Sequence, residues 1–502
     1  MLEPIPNATK ATTPCNLLRG YQARAIELLR ESLRTGHRRP VLKLPTGAGK
    51  TKIAGQIIRM ALDRGKRAIF VVPRISLIEQ TVASFEREGI SHIGVIQGQN
   101  HRTDASALVQ IASERTLSRR QIPPAGIVLI DEVHLQSVAI AKWIADPEWA
   151  TVPFIGLTAT PWARGMGKIW DDLIAPVGIT ELIEAGYLSK FRVLAPSAPD
   201  LSDVKTTAGD FNESGLSEVC DTPEIVGNVI DTWFQHAKDR PTLVYGVDRR
   251  HAQHLQERFI EAGAPAEYVD CFTEMYEREE IFQRFRDGTT RIICNVATLD
   301  TGIDLDVRCI CDCRPTKSRI RFVQTIGRAL RVAPGKDHAL LLDHAGNHLR
   351  LGLVTEIDFP KLDMGEPGKS LEFVKDKDRK PARIRLCPEC HCVQAPGARL
   401  CPQCGHVFHA VTMVHEREGA LIELGATRRG QALVDNPEYW HGCFAFLANE
   451  RGYKPGWAAH KFFQKFGTWP KRRFPELCEP DIKVKNWIKS RQVAFAKSKK
   501  RA

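Results

Sequence analysis

The chain has no apolar run approaching the length needed to cross a bilayer. Its opening stretch, MLEPIPNATK, lacks the basic and apolar regions of a secretory leader. The expectation is a soluble cytoplasmic protein with no membrane partner. A disulfide framework is missing as well: the 502 residues include 14 cysteines, and many stand singly, as Cys15, Cys220, Cys271 and Cys294 do, which suits a reducing compartment. Net charge is absent from most of the length. Residues 1–450 carry 56 basic and 56 acidic side chains, whereas residues 451–502 carry 15 basic against 3 acidic, so the whole excess of +12 sits at the end. Such a block suits a polyanion or an anionic surface, although a solvated basic tail is its commoner meaning.

What is present begins with VLKLPTGAGKT, residues 41–51. Val41 to Leu44 read as the end of a buried strand, Pro45, Thr46, Gly47, Ala48 and Gly49 as a tight turn, and Lys50 onward as a helix. Glycine has no Cβ to block a close approach, so the N-H groups of such a turn can converge on phosphate oxygens beside the positive end of the helix dipole. Lys50 is placed to reach the β- and γ-phosphates of ATP, and the Thr51 hydroxyl to hold Mg²⁺. Leu44 stands where the strict phosphate-loop pattern has glycine, so the match is partial.

Apolar runs (VLKL, RAIFVV, AGIVLI, PFIGL) alternate with helical segments up to about Ser189, and a second series (PTLVYG, RIICNV, RCICD, HALLLD) follows from about Phe191. Strands alternating with helices argue for parallel sheets covered on both faces, so the fold class is α/β with two lobes in tandem. Open α/β sheets bind ligands at the carboxyl ends of their strands, and GIVLI ends in DEVH. Asp131 can hold Mg²⁺, Glu132 can polarise the attacking water, and His134 is placed to link the site to a neighbour. In QTIGRALR, Arg328 and Arg331 are three apart, a spacing that puts both on one helical face, able to point across a cleft.

The motif series resembles that of the superfamily 2 helicases of DExH type, through both lobes and in order. LRGYQ resembles the Q motif, PTGAGKT motif I, VVPRISL motif Ia, DEVH motif II, LTATP motif III, TLVYG motif IV, LDTGIDL motif V and QTIGRALR motif VI. The resemblance implies two RecA-like lobes, residues 1–188 and 189–365. It assigns Gln22 to the adenine edge, Gly302 and Asp304 to the nucleotide site, and Gln324, Arg328 and Arg331 to catalysis from the second lobe. It also implies that Pro73, Arg74 and Thr116, in motif Ia and the stretch SERTLSRR, face a nucleic-acid strand; side chains of these kinds suit phosphate contact rather than base reading.

Beyond the lobes, CPECHCVQAPGARLCPQCG sets Cys387 and Cys390 ten residues before Cys401 and Cys404. Two such turns present four thiolates to one ion, which predicts a structural zinc ribbon over residues 381–410, with Cys392 and His406 as bystanders. Residues 430–502 then interleave aromatics with lysine, predicting a small basic helical module whose aromatics are mainly core, some being stacking platforms for nucleic acid. This succession is similar to that of the RadD-like DNA repair helicases of bacteria and their phage-borne relatives. The resemblance implies an ATP hydrolase acting on single-stranded or branched DNA, associated with the nucleoid and with other repair or recombination proteins. A DExH-type RNA helicase and the motor subunit of a restriction complex are the alternatives.

Overall fold

The computed structural model describes residues 18–366 apart from 99, 118, 197 and 297–304; residues 384–408 apart from 395–396; and residues 437–491 apart from 455, 473–474, 481–483, 486 and 489–490. The chain forms two compact units, Met1–Val411 and Thr412–Ala502.

The first unit holds two parallel sheets. In lobe 1 the strands are β1 (Pro40–Lys43), β2 (Ala68–Val72), β3 (Ile93–Ile96), β4 (Val109–Ser113), β5 (Ile127–Asp131), β6 (Phe154–Thr158) and β7 (Asp172–Ile174), in the order β3-β4-β2-β5-β6-β1-β7. Most are short runs buried at nearly every position, as a sheet covered by helices on both faces demands. Parallel pairing sets the carboxyl ends of β1, β5 and β6 side by side, because β6 pairs with both neighbours.

Lobe 2 starts with β8 (Lys190–Leu194), carries a small hairpin of β9 (Thr206–Thr207) and β10 (Asp210–Phe211), and continues with β11 (Thr242–Tyr245), β12 (Ala266–Val269), β13 (Ile292–Asn295), β14 (Cys309–Asp312) and β15 (His338–Asp343). Its parallel sheet runs β12-β13-β11-β14-β15-β8. After the helix Asn347–Leu351 the chain returns to lobe 1. There Phe359 packs on Trp162 with ring centroids 5.3 Å apart, Asp358 pairs with Lys43, and Asp363 accepts the N-H groups of Gly165 (3.0 Å, to Oδ1) and Gly167 (2.8 Å, to its carbonyl). This strap is a second link between the lobes, besides the direct connection at Leu188–Ser189.

The cysteine segment forms an antiparallel pair, β16 (Arg385–Leu386) with β17 (Val393–Gln394). It docks on the free edge of β8: Cys392 bridges Leu194, and Ala195 N-H donates to the His391 carbonyl at 3.1 Å. Cys387, Cys392, Cys401 and Phe408 share a hydrophobic cluster with Leu194, Leu340 and Leu342. The segment therefore covers an edge strand that would otherwise present unpaired backbone groups.

The second unit contains two described helices, Pro437–Glu450 and Trp457–Phe466, around a core of Trp440, Cys443, Phe444, Leu447, Phe462, Val484 and Ile488. No described helix is long and apolar enough to cross a membrane.

Candidate nucleotide site between the two lobes

The turn after β1 takes its shape from two glycines in the left-handed region, Gly47 (φ 86°) and Gly49 (φ 80°), where other residues are strained. Leu44, in the position of the missing glycine, is fully buried in the lobe 1 core. Thr46, Gly47, Gly49, Lys50 and Thr51 line a cleft of about 400 Å³ together with Asp131, Glu132, Arg328 and Arg331. Pro45 and Ala48 are buried behind the turn. Nine residues from three separate sequence motifs thus face one space.

Gln22 lies against the phosphate turn, its Nε2 2.7 Å from where a Cβ on Gly49 would stand. It is 1% exposed, and the chain uses both ends of its amide: Oε1 accepts from Arg19 N-H at 3.0 Å and Nε2 donates to the Ala48 carbonyl at 3.3 Å. Tyr21 donates to that same carbonyl at 2.8 Å. These residues brace the turn from behind. The cleft wall nearby is made by Arg19 and Tyr187, the guanidinium lying 4.5 Å from the ring centroid. A stacked cation and aromatic ring suit a flat base. Arg19 lies within the Q-motif stretch, but nothing in the sequence ties it to Tyr187, which arrives from the end of lobe 1.

At the end of β5, Glu132 takes a left-handed backbone (φ 52°), a conformation costly for a residue with Cβ and concentrated at functional sites. Its Oε1 accepts from Lys50 Nζ at 2.8 Å. Burial and the neighbouring Glu132 charge raise the Asp131 pKa to about 6, against the pull of Lys50. Burial acts to raise Glu132 too, but Lys50 and His134 outweigh it and hold that carboxyl below the ordinary range. Asp131 and Thr51 supply hard oxygen donors to the same cleft, a donor set that fits Mg²⁺.

His134 is buried and reaches into lobe 2. Its Nε2 accepts from Gln324 Nε2 at 2.9 Å, which leaves the proton on Nδ1, 2.9 Å from Thr158 Oγ1 and 3.3 Å from Glu132 Oε2. Gln324 also donates to Thr160 Oγ1 at 3.3 Å. Thr158 and Thr160, inside the LTATP stretch, thereby join the acidic strand end to the second lobe. The helix Arg319–Ala329 carries Gln324 and Arg328 but ends before Arg331, which lies just past the Leu330 cap. Both arginines nevertheless line the cleft, since the turn after the helix keeps Arg331 on that side. The lobes meet closely here: a Cβ on Gly327 would lie 2.8 Å from Thr46 Cβ.

Gly302 and Asp304, with the motif V stretch up to Asp304, lie outside the described residues. Pro73 is half-buried and Arg74 exposed just beyond β2. Thr116 shares a 2.6 Å hydrogen bond with Ser113 and lines, with Ile75, Arg115, Arg119 and Arg120, a separate cleft of about 1120 Å³ in lobe 1. That cleft brings Ile75 of motif Ia and the arginines of SERTLSRR together.

In the ribbon, the sulfurs of Cys387, Cys390, Cys401 and Cys404 all lie within 4.8 Å of one another. Tetrahedral zinc with Zn-S bonds of about 2.3 Å requires S-S separations of about 3.8 Å, so the set fits zinc. Cys392 stands outside this group, accepting from Gln394 Nε2 at 3.0 Å, and His406 packs on Phe408.

Comparison with known proteins agrees with this geometry. Residues 16–163 match the family described as "Type III restriction enzyme, res subunit", and residues 222–333 match "Helicase conserved C-terminal domain". IRC3 of Saccharomyces cerevisiae, named as an ATP-dependent helicase, is 32% identical over 358 residues, covering 66% of this chain and 52% of its own length. The chain thus spans about half of that relative. "DNA 3'-5' translocase XPB2" of Sulfurisphaera tokodaii is 26% identical over 363 residues, covering 62% of this chain and 78% of its own. Among solved structures, a Vibrio vulnificus fragment assigned to the HsdR subunit of a type I restriction enzyme shares the fold, with a TM-score of 0.51 and 19% identity over 68% of this chain and 66% of that one. With both helicase halves matched in order, and their motifs gathered around one cleft, the chain belongs to the superfamily 2 helicases.

Proposed function

We propose that this protein is a DNA-dependent ATPase of the RadD-like type that translocates on single-stranded or branched DNA during repair and recombination. The observation that carries the reading is the line of close polar contacts from Lys50 through Glu132 and His134 to Gln324, because it ties the phosphate turn to the second lobe. A nucleotide drawn into the turn would take Lys50 onto its phosphates and release Glu132 to orient the attacking water. Mg²⁺ held by Thr51 and Asp131 would neutralise charge on the phosphates. Arg328 and Arg331 would stabilise the charge that develops on the transferring group, and only while the lobes are closed. Closure and reopening would then grip and release a strand lying along Pro73, Arg74 and Thr116.

In this reading residues 1–188 and 189–365 are the two motor lobes, and residues 430–502 are a nucleic-acid-binding module. The protein works in the cytoplasm at the nucleoid, alongside other repair or recombination proteins. Residues 381–410 bind zinc structurally. Chelating the metal, or replacing Cys387 and Cys401 by serine, is expected to remove one equivalent of zinc and to speed amide hydrogen exchange in β8 and β15, the strands the ribbon covers. Unchanged exchange would show that the ribbon leaves the sheet edge as stable as before.

The deciding experiment is ATP turnover without nucleic acid and with single-stranded DNA, duplex DNA, forked DNA and RNA. Single-stranded or forked DNA is expected to stimulate most. Preferential stimulation by RNA would make the protein an RNA helicase, and stimulation by duplex alone would favour the motor subunit of a restriction complex.

A further inference from the structure

Among the described aromatic side chains of the second unit most are buried or half-buried, and two are exposed. Phe463 is 42% exposed and Trp469 is 57% exposed. They are not scattered: their rings are stacked, with centroids 4.8 Å apart and planes at 27°. His460 meets Trp469 edge-on at 5.1 Å. The backbone makes this arrangement. His460 and Phe463 lie three apart on one face of the helix Trp457–Phe466, and Gly467, left-handed at φ 72°, ends that helix and turns the chain so that Trp469 folds back over the face. The core aromatics Trp440, Phe444 and Phe462 belong to a separate buried cluster. Lys454, Lys471 and Arg472 are exposed in the same unit.

We propose that the Phe463–Trp469 stack is a platform for an unpaired base of single-stranded DNA, with Lys471 and Arg472 holding the flanking phosphates. Two large flat rings left in water are costly to expose, and a base is the ligand that covers a flat ring without needing any particular hydrogen bond. The positive charge beside the platform matches a phosphodiester chain and opposes a positively charged peptide. Within a duplex the base faces are already stacked, so the platform selects strands whose bases are free. The inference rests on the proposed action on DNA and deepens it, by assigning the preference for unpaired strands to this module.

The test compares the full chain's affinity, without ATP, for a thymidine oligonucleotide and for an abasic strand of the same length, which keeps the phosphates and loses the bases. The wild type is expected to prefer the base-bearing strand about tenfold, within the range for stacking one base on an aromatic side chain. Trp469→Ala should abolish that preference while keeping the salt dependence of binding. Trp469→Phe should restore part of the preference. Replacing Lys471 and Arg472 by alanine should do the reverse, weakening both strands equally and making the salt dependence shallower. Equal wild-type affinity for the two strands, or a full preference kept by Trp469→Ala, overturns the platform. If neither strand binds and no DNA stimulates ATP turnover, the proposed function itself is wrong, an outcome separate from loss of the platform.

Discussion

Each lobe ends a strand in a turn that leads into a helix, and the two turns are filled differently. After β1 the sequence is PTGAGKT, with no acidic side chain in the turn. After β15 it is DHAGNH, and the Asp343 carboxylate accepts from the N-H groups of Ala345 (3.2 Å), Asn347 (3.0 Å) and His348 (2.7 Å), and lies 3.0 Å from His348 Nδ1. Burial acts to raise the Asp343 pKa, but these donors overcome it and hold the group below the ordinary carboxylate range. Lobe 2 has thus supplied its own anion to the N-H groups at a helix start, where lobe 1 keeps glycines and a lysine for an anion from outside. One α/β scaffold yields a nucleotide site or a self-capped structural turn according to one side chain. Among the described residues, lobe 2 lines the cleft built on lobe 1 with Arg328, Arg331 and Val332, and its Gln324 meets His134.

The comparison breaks most visibly if lobe 1 is given what lobe 2 has. Thr46→Asp would place a carboxylate in the phosphate turn. Together with Lys50→Ala it is expected to weaken ATP binding by about 10²-fold or more, since charge-assisted hydrogen bonds are each worth about 1.5–3 kcal/mol and here several are lost or opposed. Glu132→Gln should instead leave ATP bound and stop turnover. Titration calorimetry with ATP separates the two classes, and tight binding by Thr46→Asp would show that the turn does not hold phosphates. Next in size is Arg331→Ala. It is expected to lower kcat about 10²- to 10³-fold with a much smaller change in KM, because its charge acts in the closed transition state. A rise in KM at constant kcat would make it a ground-state contact.

The converse substitution tests lobe 2. Asp343→Asn takes the charge from a fully buried carboxylate and sets an amide against its donors, at a cost of about 3 kcal/mol in stability. Nucleotide affinity should be unchanged at temperatures where the variant is folded. Thermal melting together with ATP titration reads both. A variant that melts like the wild type would mean that the N-H groups find other partners and that the turn is not held from within.

Much of this was legible because the informative features are local. The strands VLKL, AIFVV, IVLI and FIGL announce themselves as short apolar runs, and motifs at their ends fall in one cleft because parallel pairing puts those ends together. β12, an edge strand with Glu267 and Tyr268 half-buried, has no continuous apolar run, and β7 is only three residues long; neither stands out. What sequence reading could not supply is pairing across distance. Arg19 with Tyr187, Trp162 with Phe359 and Cys392 with Leu194 are ordinary residues until the fold sets them together. Gln22 shows the same limit: a motif names a residue near the nucleotide, but the fold decides that its amide bonds the Ala48 carbonyl and the Arg19 N-H.

The smallest effect is expected where the two lobes touch. A Cβ at Gly327 would come within 2.8 Å of Thr46 Cβ and 3.0 Å of its hydroxyl, so the helix of lobe 2 can lie on the phosphate turn only because that position is glycine. Gly327→Ala adds one methyl group. In the open state it meets nothing of lobe 1 and even favours the helix, by about 1 kcal/mol over glycine. In the closed state Thr46 must give way, and overpacking of this kind costs about 1–3 kcal/mol. The difference falls on closure alone. ATP binding to lobe 1 in the open state should therefore change little, thermal stability should hold or rise slightly, and kcat should fall about tenfold, the kinetic equivalent of about 1.4 kcal/mol. Steady-state turnover alongside melting distinguishes this from general damage. A Gly327→Ala enzyme that turns over like the wild type would mean that the lobes need not close to this distance for hydrolysis, and that the difference between the two turns is enough to set where ATP sits but not when it is cleaved.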